Sequence, residues 1–190
     1  MIELVAQHHA NKPPSYLPIY ESFFAPIRNA PVRILELGIQ TGASLLVWRD
    51  YFPWGQVTGI DLDLPTMPDT DHIAMYAGAQ EDEALLDRVG AERGPFDVII
   101  DDCSHIGALA WASFWPLFTR HLAPGGIYAV EDWGTGYWPD WSDGAAYAPD
   151  HTAGMVGFVK RLVDQCGMGV SPIVRLDIAP GLVIVRKGPA

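Results

Sequence analysis

Two β-rich runs near the end of the chain, residues 173–178 and 182–186, are separated only by Ala179-Pro180-Gly181. A connection this short joins antiparallel neighbours, because a parallel crossover takes a dozen residues or more. Earlier in the chain the spacing is the opposite. Five runs carrying Val, Ile, Leu or Tyr, at 32–37, 56–61, 73–76, 96–101 and 126–131, are interrupted by stretches of helical length at 43–51, 81–89 and 107–122. Strand alternating with helix calls for parallel pairing, right-handed crossovers and helices on both faces of the sheet. The expectation is a doubly wound α/β fold with a seven-stranded, mostly parallel sheet closed by an antiparallel hairpin. A chain of 190 residues holds one core and no second domain, so one domain is expected over 1–190. Within it we expect a helical cap over 1–30 and an irregular active-site loop over 134–151, rich in Trp, Pro, Gly and Asp.

Charge narrows the partners. Lys and Arg number 12 against 23 Asp and Glu, a formal net charge of −11, which repels a nucleic-acid backbone or an anionic membrane. A small neutral or cationic ligand, or a divalent metal, suits that field. No apolar run reaches the roughly 18 to 20 residues of a membrane span, and residues 1–5 are too short and too acidic for a secretory signal, so a cytoplasmic location is expected. Cys103 and Cys166 lie far apart and read as free thiols.

At the end of the first strand, Glu36-Leu37-Gly38-Ile39-Gln40-Thr41-Gly42-Ala43-Ser44 runs straight into a helical stretch. Glycine lets backbone approach a ligand, and free helix N-terminal amides favour a carboxylate or phosphate. The Gly38-x-x-x-Gly42 spacing is not that of dinucleotide binders, and a tight turn with no ligand is the alternative. About 20 residues on, Asp61 ends the second strand, where an acid can accept both hydroxyls of a ribose. Turn and acid describe an adenosine-type cofactor, and Glu36 ahead of the turn favours S-adenosylmethionine. Gln80 follows the third strand, where the adenine would lie. The candidate cofactor set is Glu36, Gly38, Gly42, Ser44, Asp61, Gln80 and Asp101.

The fourth strand ends in Asp101-Asp102-Cys103-Ser104-His105 and the fifth in Glu131-Asp132-Trp133. Four carboxylates and an imidazole thus gather where open α/β sheets place their ligands. Such acids repel one another unless a cation joins them, and oxygen donors favour a hard ion such as Mg²⁺. Asp102 or Ser104 capping the next helix is the competing account, as is His105 serving as an ordinary polar residue at a helix start. Beside a metal, a neutral His105 can act as a general base. Cys103 as a nucleophile has no base near it in sequence other than His105.

At these residues the sequence resembles the Mg²⁺-dependent sugar O-methyltransferases that act on macrolide antibiotics such as tylosin and mycinamicin, with a related group acting on methylmannose polysaccharide. The resemblance covers residues 16–28, Leu35-Glu36-Leu37-Gly38 with Gly42-Ala43-Ser44-Leu45, residues 48–53, and Gly59-Ile60-Asp61. It continues through Asp101-Asp102-Cys103-Ser104-His105, residues 122–126, and Glu131-Asp132-Trp133-Gly134-Thr135-Gly136-Tyr137-Trp138-Pro139. It implies a class I, Rossmann-like methyltransferase fold (EC 2.1.1) using S-adenosylmethionine and Mg²⁺, with Asp102, Glu131 and Asp132 as metal ligands, His105 as the base, and Tyr137 and Trp138 lining the acceptor pocket. The implied mechanism has Mg²⁺ chelating two neighbouring sugar hydroxyls while His105 takes a proton. The chain departs from the family at Cys103, where Gly is usual, at Leu109, where a second His is usual, and at His9-Ala10-Asn11-Lys12, where relatives read Gly-Thr-Asp-Lys.

The functional expectation is methyl transfer to a hydroxyl of a sugar, on a glycosylated natural product or a mannose-type polysaccharide precursor. Catechol or phenol methylation, a cephalosporin-hydroxylase-like oxygenase and a non-catalytic S-adenosylmethionine-binding module are the alternatives. A homodimer is expected from seven tryptophans in so short a chain.

Overall fold

The computed structural model describes residues 1–67, 71–144 and 153–189. Its centre is one seven-stranded sheet: β1 (Arg33–Leu37), β2 (Gln56–Asp61), β3 (Ile73–Ala77), β4 (Phe96–Asp101), β5 (Leu122–Glu131), β6 (Ile173–Ala179) and β7 (Leu182–Lys187). Their order is β3-β2-β1-β4-β5-β7-β6. The first five pair in parallel, while β7 runs antiparallel to both β5 and β6, the latter as the two-residue Pro180-Gly181 connection requires. Strand order reverses between β1 and β4. That is the switch point of an open α/β sheet, where the carboxyl ends of the strands leave a crevice.

Because side chains alternate along a strand, each strand feeds two cores. Leu35, Leu37, Ile99, Tyr128 and Val130 face one side, covered by α4 (Glu83–Arg93), α5 (Gly107–Pro116) and α6 (Gly154–Gly167). Ile34, Val98, Ile100, Ile127 and Ala129 face the other, covered by α3 (Ala43–Tyr51) and by the amino-terminal helices α1 (Ile2–His8) and α2 (Leu17–Phe24). There the Tyr20 and Phe24 rings pack edge-on against Trp48.

Several boundaries differ from the sequence expectation. Asp82 caps α4, accepting the amides of Ala84 and Leu85, so the helix starts at Glu83. The expected helix over 107–122 stops at Pro116, relaxes into a wider π turn over Leu117–His121, and yields to a strand that begins four residues before 126. The helix α6 was not anticipated, although Met155, Val156, Phe158, Val159 and Leu162 bury one stripe at helical spacing. Of the loop expected over 134–151, residues 145–151 lie outside the described residues; Trp133–Tyr137 form a short 3₁₀ turn. No helix among the described residues is long and apolar enough to cross a membrane.

Candidate active site

The β1–α3 turn needs glycine at two places. Gly38 and Gly42 sit at φ +81° and +78°, and a Cβ on Gly38 would run into the carbonyl of Asp102. Asp61 staples this turn from β2: its Oδ2 accepts the amides of Ile39 and Gln40, both at 2.8 Å. No side chain caps α3, so its first amides open at the turn. A cavity of about 150 Å³ lies there, lined among others by Asn11, Lys12, Gly38, Gln40, Ser44 and Asp102. The uncapped helix start and glycine turn suit a small carboxylate group such as that of an amino-acid cofactor.

Parity then sorts the acids. Glu36 and Glu131 share the face of Ile34, Ile127 and Ala129, beneath the amino-terminal cap, and both are buried. Glu36 accepts Ser44 Oγ at 2.7 Å and Trp48 Nε1 at 3.1 Å. Into the same space the cap inserts Lys12, whose Nζ donates to Glu36 Oε1 at 3.0 Å, Asp102 Oδ2 at 2.7 Å and Glu131 Oε1 at 2.7 Å. Tyr20 donates to the same Glu131 oxygen at 2.7 Å, and Tyr16 to Asp132 Oδ1 at 2.6 Å. Burial opposes charge on Lys12, but Glu131, Glu36 and Asp102 outweigh it and hold the ammonium above the ordinary lysine value. One ammonium does not neutralise three acids. Burial therefore pushes Glu36 and Glu131 upward, against the pull of Lys12.

Asp101 faces the other way, toward α5. Its Oδ2 accepts Ser113 and Tyr128 hydroxyls, each at 3.3 Å, and its Oδ1 the Gln80 amide at 3.4 Å. Burial pushes its carboxyl up to about 7 even though Ser113 and Tyr128 favour the charged form. Gln80 Oε1 in turn accepts the amide of Ser104 at 3.1 Å, fastening the loop that carries Asp102 and His105. Gln80 and Asp101, expected among the cofactor contacts, thus have their side chains committed inward, as does Glu36, which also takes the Ser44 hydroxyl. Gly38 and Ser44 line the cavity, and Asp61 shapes it.

Asp102, His105 and Asp132 come together: each offers one ligand-type atom, all within 4.8 Å of one another. His105 Nε2 stands 3.8 Å from Asp102 Oδ1 and 3.7 Å from Asp132 Oδ2. Both His105 and Asp132 adopt left-handed backbone, at φ +52° and +54°, a conformation uncommon for non-glycine residues and frequent at functional sites. Two carboxylates and an imidazole with oxygen donors facing inward fit a hard divalent ion. Glu131, the third expected ligand, is not in this group; its Oε1 accepts Lys12 and Tyr20. Cys103 is a poor nucleophile: burial, with the charges of Asp101, Asp61 and Asp102 behind it, pushes its thiol up to about 12.

A groove of about 360 Å³ opens beside Asp132, lined among others by Tyr16, Trp133, Tyr137, Trp138 and the hairpin's Pro180. Trp133 Nε1 donates to the Ala179 carbonyl at 2.9 Å and ties this wall to the β6–β7 turn. Tyr137 and Trp138 are half-exposed, at 48% and 56%. The Trp141 ring lies 5.9 Å from that of His105, and its buried N–H has no hydrogen-bond partner among the described residues. A larger concavity of about 880 Å³, lined by Trp111, Arg161 and Met168 among others, includes none of the site residues.

Sequence reasoning assigned no role to Lys12, Tyr16 or Tyr20. The signal for them was thin: Lys12 is one of only three lysines, and the three donors recur at intervals of four.

No protein-family profile matches the chain. Among curated proteins it is 40% identical, over a 193-residue alignment covering 91% of this chain and 50% of the relative, to 8-demethyl-8-alpha-L-rhamnosyl tetracenomycin-C 2'-O-methyltransferase of Streptomyces olivaceus. It is 35% identical, over 91% of its own length and 49% of the relative, to the same organism's 8-demethyl-8-(2-methoxy-alpha-L-rhamnosyl)-tetracenomycin-C 3'-O-methyltransferase. The solved structure of MycE methyltransferase from the mycinamycin biosynthetic pathway, in complex with Mg, SAH and mycinamycin VI, superposes with a TM-score of 0.89 at 35% identity, over 98% of this chain and 54% of that one. The chain spans about half the length of these relatives.

Proposed function

From the premise that this chain is a relative of the macrolide and tetracenomycin sugar O-methyltransferases, matching about half the length of each, we propose that it is a metal-dependent O-methyltransferase. It moves the methyl of S-adenosylmethionine to a hydroxyl of a sugar. The observation that carries this reading is the convergence of Asp102, His105 and Asp132 beside the glycine turn at the switch point.

In this reading Asp102, Asp132 and the adjacent Glu131 hold Mg²⁺, and Gly38, Gly42 and the open start of α3 cradle the cofactor. Bound there, the ion supplies Lewis acidity toward a sugar hydroxyl, and the cofactor supplies the methyl group. The chain's own residues do the rest. His105 stands where it can take the hydroxyl proton. Asp61 keeps the turn in shape, while Glu36 and Ser44 brace its base and Gln80 and Asp101 brace the catalytic loop. Tyr137 and Trp138 offer faces for the apolar C–H surface of a sugar. The described part of the loop, 134–144, flanks the acceptor side and the cap over 1–30 the other, within one domain over 1–190. A cytoplasmic homodimer belongs to the same reading, the dimer supported by seven tryptophans in so short a chain.

Calorimetric titration of S-adenosylmethionine and its demethylated product, with Mg²⁺ and with chelator, tests this on the wild type and on Asp102→Ala. We expect cofactor binding and an Mg²⁺ site that Asp102→Ala abolishes, followed by methylation of glycosides rather than catechols. A chain that binds no cofactor under any condition is not this enzyme, and turnover with Fe(II) and O₂ would make it an oxygenase. Cofactor binding without turnover under any metal would make it a binding module.

A further inference from the structure

Three donors from one short segment, Lys12, Tyr16 and Tyr20, reach three acids at the ends of β4 and β5. Each of these acids is held through a single oxygen. Lys12 takes Asp102 Oδ2 and Glu131 Oε1, Tyr20 shares that Glu131 oxygen, and Tyr16 takes Asp132 Oδ1. The opposite oxygens of the two aspartates, Asp102 Oδ1 and Asp132 Oδ2, are the ones that stand 3.8 and 3.7 Å from His105 Nε2. The segment therefore holds the acids from behind and leaves the front oxygens of the two aspartates converging on His105.

Resting on the function proposed above, we propose that Lys12 is a positioning residue of the cation site, orienting Asp102 and Glu131 from the amino-terminal cap. Charge alone argues against a lysine here, because an ammonium 2.7 Å from a cation's carboxylate ligand repels that cation. Geometry argues for it. An ammonium has three donors and no acceptor, and the three partners of Lys12 are all carboxylate oxygens, so a single buried atom fixes three side chains at once. The third, Glu36, carries the turn's Ser44, so the same atom also ties the cation site to the base of the cofactor turn. Groups behind the ligands of a metal set its affinity by fixing their orientation.

The two effects have opposite signs, which makes the test sharp. Mg²⁺ is titrated calorimetrically into the full chain as wild type, Lys12→Met, Lys12→Arg and Tyr16→Phe, with a thermal melt of each. If Lys12 positions the acids, Lys12→Met weakens Mg²⁺ about 10- to 100-fold despite removing a positive charge. Lys12→Arg, which keeps donors in place, retains part of that affinity. Tyr16→Phe weakens Mg²⁺ in the same direction by a smaller factor. Lys12→Met that binds Mg²⁺ as tightly as wild type, or more tightly, overturns the proposal. Should Lys12→Met fail to fold, Tyr16→Phe and Lys12→Arg decide alone, and unchanged or tighter binding in both overturns it. A wild type that binds no Mg²⁺ sinks the cation site itself, a different failure from a wild type that binds and a Lys12→Met that binds equally.

Discussion

The two faces of the sheet edge handle their buried acids in opposite ways. On the cap face, Glu36, Asp102 and Glu131 surround the Lys12 ammonium, an ionic cluster with more negative than positive charge. On the α5 face, one acid, Asp101, meets only neutral donors: Ser113, Tyr128 and Gln80. A cluster with excess negative charge has reason to take up a cation. A lone carboxyl pushed to about 7 and wrapped in hydroxyls and an amide is a structural tie. In the proposed function one face would carry the chemistry and the other hold it still, with the Ser104 amide of the loop from Asp102 to His105 pinned by Gln80.

The comparison breaks most visibly at His105, which stands where both faces converge. His105→Ala should lower methyl transfer by about 10² to 10⁴, the usual worth of a general base. Mg²⁺ affinity should fall far less than in Asp102→Ala, because the two aspartates remain. Rates measured under saturating cofactor, beside calorimetry of the ion, check this. An unchanged rate would show that His105 is no base, and a lost Mg²⁺ site would show that it is foremost a ligand.

The α5 face is probed by Gln80→Leu. The Ser104 amide then loses its acceptor, and Asp101 and Ser113 lose a donor, so the melt should report a loss of about 1 to 3 kcal/mol, the cost of leaving buried polar groups unmet. Turnover should drop with the loosened loop while affinity for the demethylated cofactor stays near wild type, because the amide faces inward. Weakened cofactor binding at unchanged stability would return Gln80 to the role its position after β3 suggested.

Much of this was legible in the sequence, and the reasons for the rest are physical. The three-residue gap at 179–181 could only be a hairpin, and the apolar runs could only be buried strands. The acids were found because strand ends concentrate them. Which acid faces which way was hidden: central strands buried on both faces read as continuous apolar runs, so β4 and β5 show no alternation to reveal the side of Asp101 or Glu131. Lys12 was hidden differently. Its partner Glu131 lies 119 residues away, and nothing local in His9-Ala10-Asn11-Lys12 announces a buried ammonium. The helix α6 carries a plain apolar stripe, but no expectation covered 154–167, which follow the Trp-, Pro- and Gly-rich stretch over 134–151.

The smallest expected effect concerns Cys103, which sits between the two faces and packs against the α4–α5 core. With its thiol pushed up to about 12, roughly one molecule in 10⁴ carries a thiolate at pH 8, so iodoacetamide should label it slowly in the folded chain and rapidly in urea. Cys103→Ser should leave methyl transfer within about threefold of wild type, because a direct transfer needs no covalent enzyme intermediate. Peptide mapping of alkylated protein and initial rates of the variant check the two halves together. Fast labelling with a collapsed rate would mean that the charges on the two faces activate the thiol rather than suppress it, and that the neutral side of the sheet edge takes part in the chemistry.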